Sequence, residues 1–331
     1  MFWPTYPWWK HGFPSVFDSY PFDRDQVPLP THTTFFHFSG SHLSSALPFL
    51  SPLCNFLFLY FSEQPRLVHT PDTLLPPQDH LFVLYHHITQ HPLAMIRYHF
   101  LGHLYSTTTP YPVIYVVDAF CVHPEWRHKG LGTYLLTELH RYANQLHIPN
   151  AFFLKEGPSL PVLPLPLYSG SYVYRSLQAQ EHISISCNNI ITLTTDDVKQ
   201  WISCYMKIRP TTFLVYNLSC SNVIWRAYWS PPYSILACIQ DTHQQWDHKN
   251  MGWFTVWLES PIMPDSVRHE ASLLLSASVS SMYSWIWMDR KWSGRDQIPY
   301  SPWMEDGGFH WYTYQWNTNR RLEQSYGIMI H

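Results

Sequence analysis

Charge is scarce in this chain. Asp, Glu, Lys and Arg make up 13% of the 331 residues, about half the usual share of roughly 25%. The net charge of −3 gives no basic footprint for a nucleic acid, so none is expected as a partner. Six cysteines, at 54, 121, 187, 204, 220 and 238, form no C-x-x-C pair, which suits buried thiols in a reducing, cytoplasmic setting better than a disulfide framework. A long apolar run is also missing. Ala46 to Phe61 is the most apolar segment, but Pro48, Pro52 and Asn55 interrupt it and it falls short of the about 20 residues of a membrane span, so it reads as a buried helix. The opening Met1-Phe2-Trp3-Pro4 has no basic stretch ahead of an apolar one, so no signal peptide is expected. No G-x-S-x-G elbow appears, and neither His86-His87 nor the His123/His128 spacing is completed by a cysteine or an acid, so no metal is expected.

Apolar and aromatic residues are plentiful, at 46% and 17%, with 28 prolines. Such a chain can bury a large core or offer apolar surface to a ligand. Its length fits two domains or one large double one. The 21 histidines make the net charge climb below about pH 6.5, a matter of solubility.

The stretch Val113 to Leu146 organises the rest. Val113 to Val122 is β-branched and apolar with one acid, Asp118, and reads as a strand buried on both faces, with Cys121 in the core. Leu131, Leu135, Leu139, Tyr142 and Leu146 then recur at helical spacing. Between strand and helix lies Arg127-His128-Lys129-Gly130-Leu131-Gly132-Thr133. Small residues at a helix start let the backbone approach an anion such as a pyrophosphate, and Arg127 and Lys129 reinforce the attraction. A dinucleotide fingerprint would need a third glycine, and a Walker loop a lysine after the last glycine; neither order is present. R-x-x-G-x-G is similar to the acyl-CoA loop of the GNAT N-acyltransferases. The bland alternative is an ordinary strand-to-helix turn.

Around this stretch the chain falls into two similar halves. Leu81 to Tyr85 and Leu93 to Leu104 read as strands joined at His91-Pro92, and Asn150 to Leu154 follows the helix. The four-proline segment from Gly157 to Pro166 cannot be regular structure. From Ile183 the pattern starts again. Thr195-Asp196-Asp197 caps a helix, 213–218, 223–229, 235–240 and 253–258 are strands, 270–284 is a helix, and 309–316 and 326–330 close the chain as strands. The aromatic first thirty residues read as an arm packed on the body.

Seven segments in order resemble the eukaryotic N-myristoyltransferases. Phe2-Trp3-Pro4-Thr5-Tyr6-Pro7 resembles their F-W-x-T-x-P opening, and Asp118-Ala119-Phe120-Cys121-Val122-His123 their N-F-L-C-V-H strand, followed by the R-x-K loop at Arg127 and Lys129. Leu160-Pro161 and Tyr172-Val173-Tyr174-Arg175-Ser176-Leu177 resemble L-P-K-P and Y-W-H-R-S-L. Asp306 to Trp316 resembles D-G-N-L-Q-Y-Y-L-Y-N-W, and Gly327 to His331 the terminal G-L-V-L-Q.

The resemblance implies an α/β (α+β) tandem GNAT fold of two pseudo-symmetric halves, each with a mixed sheet flanked by helices, divided as 1–180 for acyl-CoA and 181–331 for peptide. It implies transfer of a myristoyl group from myristoyl-CoA to the amine of an N-terminal glycine, with no covalent enzyme intermediate. The backbone amides of Ala119 and Phe120, at a bulge, would hold the oxyanion. Phe120, Cys121, Val122 and the amides from His128 to Thr133 would hold the acyl-CoA, with Phe2 and Trp3 covering it, and the α-carboxylate of His331 would be the base. Tyr172, Tyr174, Asp306, Tyr312 and Tyr314 would line the peptide, and the protein would act as a monomer. Asp118 stands where the family has asparagine, so it either helps deprotonate the amine or is hydrogen-bonded structure. Tyr174 replaces a histidine, Lys155-Glu156 occupy the bend where the family has a threonine, and the family's acidic run has no counterpart beyond Asp306. Transfer of another acyl chain, or a silent binding relative, remain the alternatives.

Overall fold

A computed structural model of the chain describes residues 28–62, 65–105, 113–146, 151–159, 166–177, 189–210, 212–220, 222–297, 301–314 and 326–328. Phe2, Trp3 and His331 lie outside the described residues, as does the Leu160-Pro161 segment.

The first half runs β1 (Thr33–Ser39), α1 (Leu43–Tyr60), β2 (Arg66–Leu67), α2 (Pro71–Leu74), β3 (His80–His86), β4 (Pro92–Leu104), β5 (Val113–Val122), α3 (Leu131–Gln145), β6 (Ala151–Glu156) and β7 (Tyr168–Ser176). The second runs β8 (Ile190–Thr192), α4 (Thr195–Ile208), β9 (Leu214–Tyr216), β10 (Val223–Ser230), β11 (Tyr233–Trp246), β12 (Lys249–Glu259), α5 (Asp265–Ala277), β13 (Trp285–Asp289), β14 (Met304–Tyr314) and β15 (Tyr326–Ile328).

The strands join in one mixed sheet, in the order β1-β3-β4-β5-β6-β14-β7-β13-β12-β11-β10-β8, with β2, β9 and β15 attached beside it. The order reads alike from both ends. In each half a strand crosses through a helix to a parallel neighbour, β5 through α3 to β6 and β12 through α5 to β13. Each half also lends a late strand to the other: β7 pairs with β13, and β14 pairs with β6. The tandem arrangement is therefore present, but the halves share one sheet, and a cut near residue 180 leaves β7 lying in the second half's part of it.

Burial explains the elements. From His80 to Tyr85 every residue of β3 is buried, as expected of a strand covered on both faces. α3 turns Leu131, Tyr134, Leu135, Leu139 and Ala143 inward at helical spacing, each Leu contributing about 1.5–3 kcal/mol. They pack on Tyr98, Tyr115, Val117 and Phe153, while α1 covers the opposite face with Leu50, Leu53, Phe56 and Leu57 against Met95, Ala119 and Cys121.

Several elements differ from the sequence reading. Pro48 and Pro52 lie inside α1 without ending it, and Leu47 and Leu59 face outward, so this helix is buried on one side only. With the turn ahead of it, Gly40–Tyr60, it is long and apolar enough to cross a membrane by length and composition, with 28% of that window buried. α4 is capped one residue earlier than expected, by a reciprocal Thr194/Asp197 pair. α5 begins at Asp265 and ends at Ala277, and the end of the expected helix gives way to a turn and then β13.

Candidate functional site

The chemistry predicted for the Val113–Leu146 stretch needs a break in β5, and the break is there. Asp118 stands opposite Arg97 of β4 and Cys121 opposite Met95, so Ala119 and Phe120 together face one residue. Ala119 takes a φ of +45°, a conformation that costs a non-glycine residue about 1–2 kcal/mol and is kept only where the surroundings enforce it. A bulge of this kind re-aims the local backbone.

Arg97 steadies it. Its Nε and Nη2 donate to the two oxygens of Asp118 at 2.7 and 2.6 Å, and Nη1 donates to the carbonyls of Thr73 at 3.1 Å and Leu74 at 3.5 Å. Burial works against the guanidinium charge, but Asp118 outweighs it and holds the Arg97 pKa above its ordinary value. Of the two roles the sequence left open for Asp118, the structure displays the hydrogen-bonded one, with both oxygens committed to a cation.

After Val122 the chain makes a short 3-10 turn, Pro124–Trp126, and then reverses at His128 and Gly130, with φ of +63° and +80°. Arg127 Nε donates back to the Val122 carbonyl at 3.3 Å, and Lys129 Nζ lies 4.5 Å from the Trp126 ring centroid. Gly130 is the N-cap of α3, which has no side-chain cap and no acid in its first turn. Its leading amides and positive end are unopposed. A Cβ at Gly130 would meet no described residue within 4 Å, so the helix start is open at that point. Arg127, His128, Lys129 and Gly130 are exposed, Leu131 and Gly132 buried, and Thr133 half-buried. An uncapped helix start beside two exposed cations is suited to an anion.

A gap opens beside the bulge. β5 and β6 pair in parallel at Tyr115–Ala151 and Val116–Phe152 and no further, while β6 continues along β14 as far as Glu156. Among the described residues no strand fills the space beside Val117 to Val122. In the second half β12 and β13 part in the same way after Trp253–Trp287, but there β15 lies against β12 at Val256 and Trp257, and Tyr326 donates to Asp289 at the end of β13 at 3.0 Å.

The predicted peptide residues separate. Tyr174 stacks on Trp287 at 5.0 Å, and Asp306 accepts from Trp287 Nε1 at 2.7 Å. Tyr172 stacks on Phe309 at 4.1 Å, and its hydroxyl has no hydrogen-bond partner among the described residues. Burial, then Glu156, Asp289, Asp306 and Tyr168, push that phenol well above its ordinary pKa. These three gather in one region. Tyr312 is elsewhere: it stacks on Phe153 at 4.8 Å in the apolar layer under α3, because alternate residues of β14 face opposite sides of the sheet. Tyr314 sits in register with Ala151, and its side chain is outside the description.

Sequence reasoning missed the cluster around Asp289, which accepts from Tyr168 at 2.7 Å as well as from Tyr326, with Lys291 Nζ 3.9 and 4.6 Å from the two ring centroids. Its members stand far apart in the chain and share no motif. β15 is flanked on both sides, by β12 and β9. It runs parallel to β9, which is antiparallel to β4 as β4 is to β5. The chain at Ile328 therefore heads the same way as β5, toward the end that carries Ala119.

A cavity of about 460 Å³ lies elsewhere, lined by His37, Ser41, His42, Ser45 and Tyr142. Tyr142 is twelve residues along α3 from Gly130, about 18 Å at the helical rise, so this cavity is not part of the turn.

Residues 50–160, from α1 through the bulge and the turn to the end of β6, match the acetyltransferase (GNAT) family. A structure of Saccharomyces cerevisiae N-myristoyltransferase with bound myristoyl-CoA covers 100% of this chain and 99% of its own, with a TM-score of 0.61 at 13% identity. Another from the same organism, with bound myristoyl-CoA and inhibitors, covers 93% of this chain and 88% of its own, with a TM-score of 0.58 at 13% identity. No curated protein matches the chain. At this identity the likeness establishes the fold, which is the tandem α/β fold those structures share. With the GNAT match over the glycine turn, it supports an acyltransferase.

Proposed function

We propose that this protein transfers a myristoyl group from myristoyl-CoA to the N-terminal glycine amine of protein substrates. The observation that carries the reading is the open gap between β5 and β6, with the Ala119 bulge on one wall and the glycine turn at its mouth.

In this reading Arg127, Lys129 and the backbone amides from His128 to Thr133 hold the pyrophosphate, Phe120, Cys121 and Val122 line the strand side, and Phe2 and Trp3 cover the nucleotide. The acyl-CoA supplies an activated thioester carbonyl. The backbone at Ala119 and Phe120 presents amides to the oxygen of that carbonyl as charge develops, each donor contributing about 3–4 kcal/mol of the rate. Tyr172, Tyr174 and Asp306 form the peptide side and hold the glycine amine in line, an effect of order 7–11 kcal/mol. The His331 carboxylate, toward which the course of β15 leads, takes a proton from the amine. Little basicity is needed, since an α-amine has a pKa of about 8 and each unit above ambient pH costs about 1.4 kcal/mol. The protein works as a monomer in the cytoplasm, a setting that suits the five free thiols among the described residues.

Incubation of the purified protein with acyl-CoAs of graded chain length and a glycine-starting peptide, read by mass spectrometry, tests this. A peptide gaining the mass of myristate is the expected result. Acetyl transfer alone would sink it in favour of a short-chain transferase, to which the doubled glycine of the turn also points. Acyl-CoA binding without turnover would leave a silent relative. Residues appended after His331 are expected to abolish turnover while acyl-CoA still binds; unchanged turnover would remove the carboxylate from the mechanism.

A further inference from the structure

The face of β4 that carries Arg97 also carries His99, two residues on and therefore on the same side of the sheet. His99 Nδ1 lies 2.5 Å from Asp79 Oδ2, and the other oxygen of Asp79 accepts the Phe100 amide at 3.0 Å. Both side chains are buried, at 7% and 1% exposure. A carboxylate accepts only, so we assign the Nδ1 proton to the ring, which leaves Nε2 with a lone pair. That nitrogen is sealed from solvent and has no hydrogen-bond partner among the described residues. Buried polar atoms are nearly always satisfied, so an orphan acceptor of this kind points to a donor brought by a guest.

Its place in the fold is as informative as its geometry. On one side, Arg97 grips Asp118, the residue before the bulge. On the other, Cys220 follows β9, the strand alongside which β15 runs; burial raises its thiol, and the charge of Asp79 adds to that. His243 of β11 approaches the cluster from the second half, its imidazole tilted against that of His69 at 5.0 Å. Burial holds His243 below its ordinary pKa, with Arg97 and His99 adding to the effect and Asp241 opposing it. The Asp79–His99 pair thus lies on the same face as Arg97 and its Asp118 partner, with Cys220 and His243 near enough to feel its charges.

We propose that His99, oriented by Asp79, is a second proton acceptor of the acyl-transfer centre, and that Nε2 receives the proton the glycine ammonium sheds before it attacks. The proposal rests on the function inferred above. The N–H bond breaks with its electron pair left on nitrogen, and the imidazolium that forms stays paired with Asp79. The freed pair makes the C–N bond as the C–S bond breaks. Sulfur leaves with that bond's electrons and takes the second proton given up by nitrogen, relayed by the His331 carboxylate, so thiol and amide are the products and one proton stays on the His99–Asp79 pair until the products leave. A dyad of this form is the usual way to keep an imidazole in the tautomer that accepts.

The test compares two acceptors on wild type, His99→Asn and Asp79→Asn: a glycyl peptide, and the same peptide carrying an aminooxyacetyl group, whose nitrogen is already unprotonated at neutral pH. For His99→Asn, kcat with the glycyl peptide is expected to fall about 10²–10⁴-fold, the worth of a positioned base. The affinity for acyl-CoA should be unchanged, and most of the loss should disappear with the aminooxy peptide. Equal losses with both acceptors would mean that His99 only holds structure, and no loss would mean that it is idle; either overturns the assignment. Should His99→Asn fail to fold, Asp79→Asn answers in its place, with a smaller loss again confined to the glycyl peptide, and an equal loss with both acceptors overturns the assignment. A wild type that binds acyl-CoA but turns over neither acceptor removes the function reading, and this base with it. A wild type that turns over while both variants match it removes the base alone.

Discussion

Each half of the sheet contains a strand with a bulge, a crossover helix and a parallel strand that parts from the first. In the first half Ala119 and Phe120 share one place opposite β4 and the helix opens at Gly130; in the second the extra residue is Thr255 and the helix opens after Pro264. The ends differ in what fills them. Arg268 of α5 donates Nε and Nη2 to Glu259 at 2.9 Å each and Nη1 to Asp265, the acid in that helix's first turn. The same carboxylate of Glu259 accepts from Trp257 Nε1 at 2.9 Å. β15 occupies the gap between β12 and β13. The protein has therefore supplied its own anion, cation and strand where the first half offers an uncapped helix, two exposed cations and an open space. One architecture has been kept twice, and chemistry remains available only where it was not plugged.

The sharpest way to break this comparison is to unplug the second half. Arg268→Met leaves Glu259, at 4% side-chain exposure, as a buried carboxylate without its cation, and a destabilisation of about 3–5 kcal/mol is expected. Urea unfolding measures it. The double variant Arg268→Met, Glu259→Leu should recover most of the loss, since no charge is then stranded. A single variant as stable as wild type would mean that the pair is not the plug described.

Acid should act on the first half through His80, which lies against α3, and His140, which α3 itself buries. Burial, with a further push from His37 and against the pull of Asp79, lowers His80 to about 4, and burial alone lowers His140 to about 4. Both are neutral in the folded protein and protonate more readily when it unfolds, where their pKa is near 6.5. Their contribution is complete above about pH 6.5 and is lost as the pH falls toward 4, so moving from pH 7 to pH 5 should cost about 1–2 kcal/mol for each. His140→Gln should flatten the pH dependence of urea unfolding. An unchanged slope would contradict the burial of that ring.

How far the sequence revealed this asymmetry depends on distance along the chain. β5, α3 and the turn were legible because strand period, helix period and glycine spacing are local, and the bulge at Ala119 was expected from the motif around it. The helix of α1 was expected but its length was not: the prolines were weighed as interruptions, whereas packing through Leu50, Leu53 and Leu57 carries it from Leu43 to Tyr60 through Pro48 and Pro52. The exchange of β7 and β14 joins residues more than a hundred positions apart, β15 meets β12 about seventy positions on, and the Asp289 cluster runs from Tyr168 to Tyr326; no periodicity reports such pairings. Tyr312 was placed with the peptide residues on the family resemblance, and only the pairing of β14 with β6 shows that it stacks on Phe153 in the layer under α3. Asp79 and His99 went unnoticed for a related reason: twenty residues separate them, and only the pairing of β4 shows which way His99 turns.

Neutralising the turn sharpens the comparison from the other side. Arg127 and Lys129 are exposed, so Arg127→Met and Lys129→Met should each change stability by no more than about 0.5 kcal/mol. Each should weaken coenzyme A binding about tenfold, the worth of one charge-assisted contact, and more at low salt than at high. Calorimetric titration with coenzyme A at two ionic strengths decides it. An affinity indifferent to both substitutions would mean that the anion is held elsewhere.

The smallest expected effect is at Gly130, and it separates two properties that usually move together. The backbone there has a φ of +80°, so Gly130→Ala places an L-residue where it costs about 1 kcal/mol. The new methyl meets no described residue within 4 Å, so no packing penalty is added and the folded protein should survive. What the methyl does enter is the space in front of the first amides of α3, the seat assigned to the pyrophosphate. Thermal unfolding should thus show a slight loss while coenzyme A affinity falls by more than that loss can account for. A variant that is slightly less stable but binds coenzyme A as wild type does would show that the space is open to solvent alone. The difference between the two helix starts would then be one of packing and not of function.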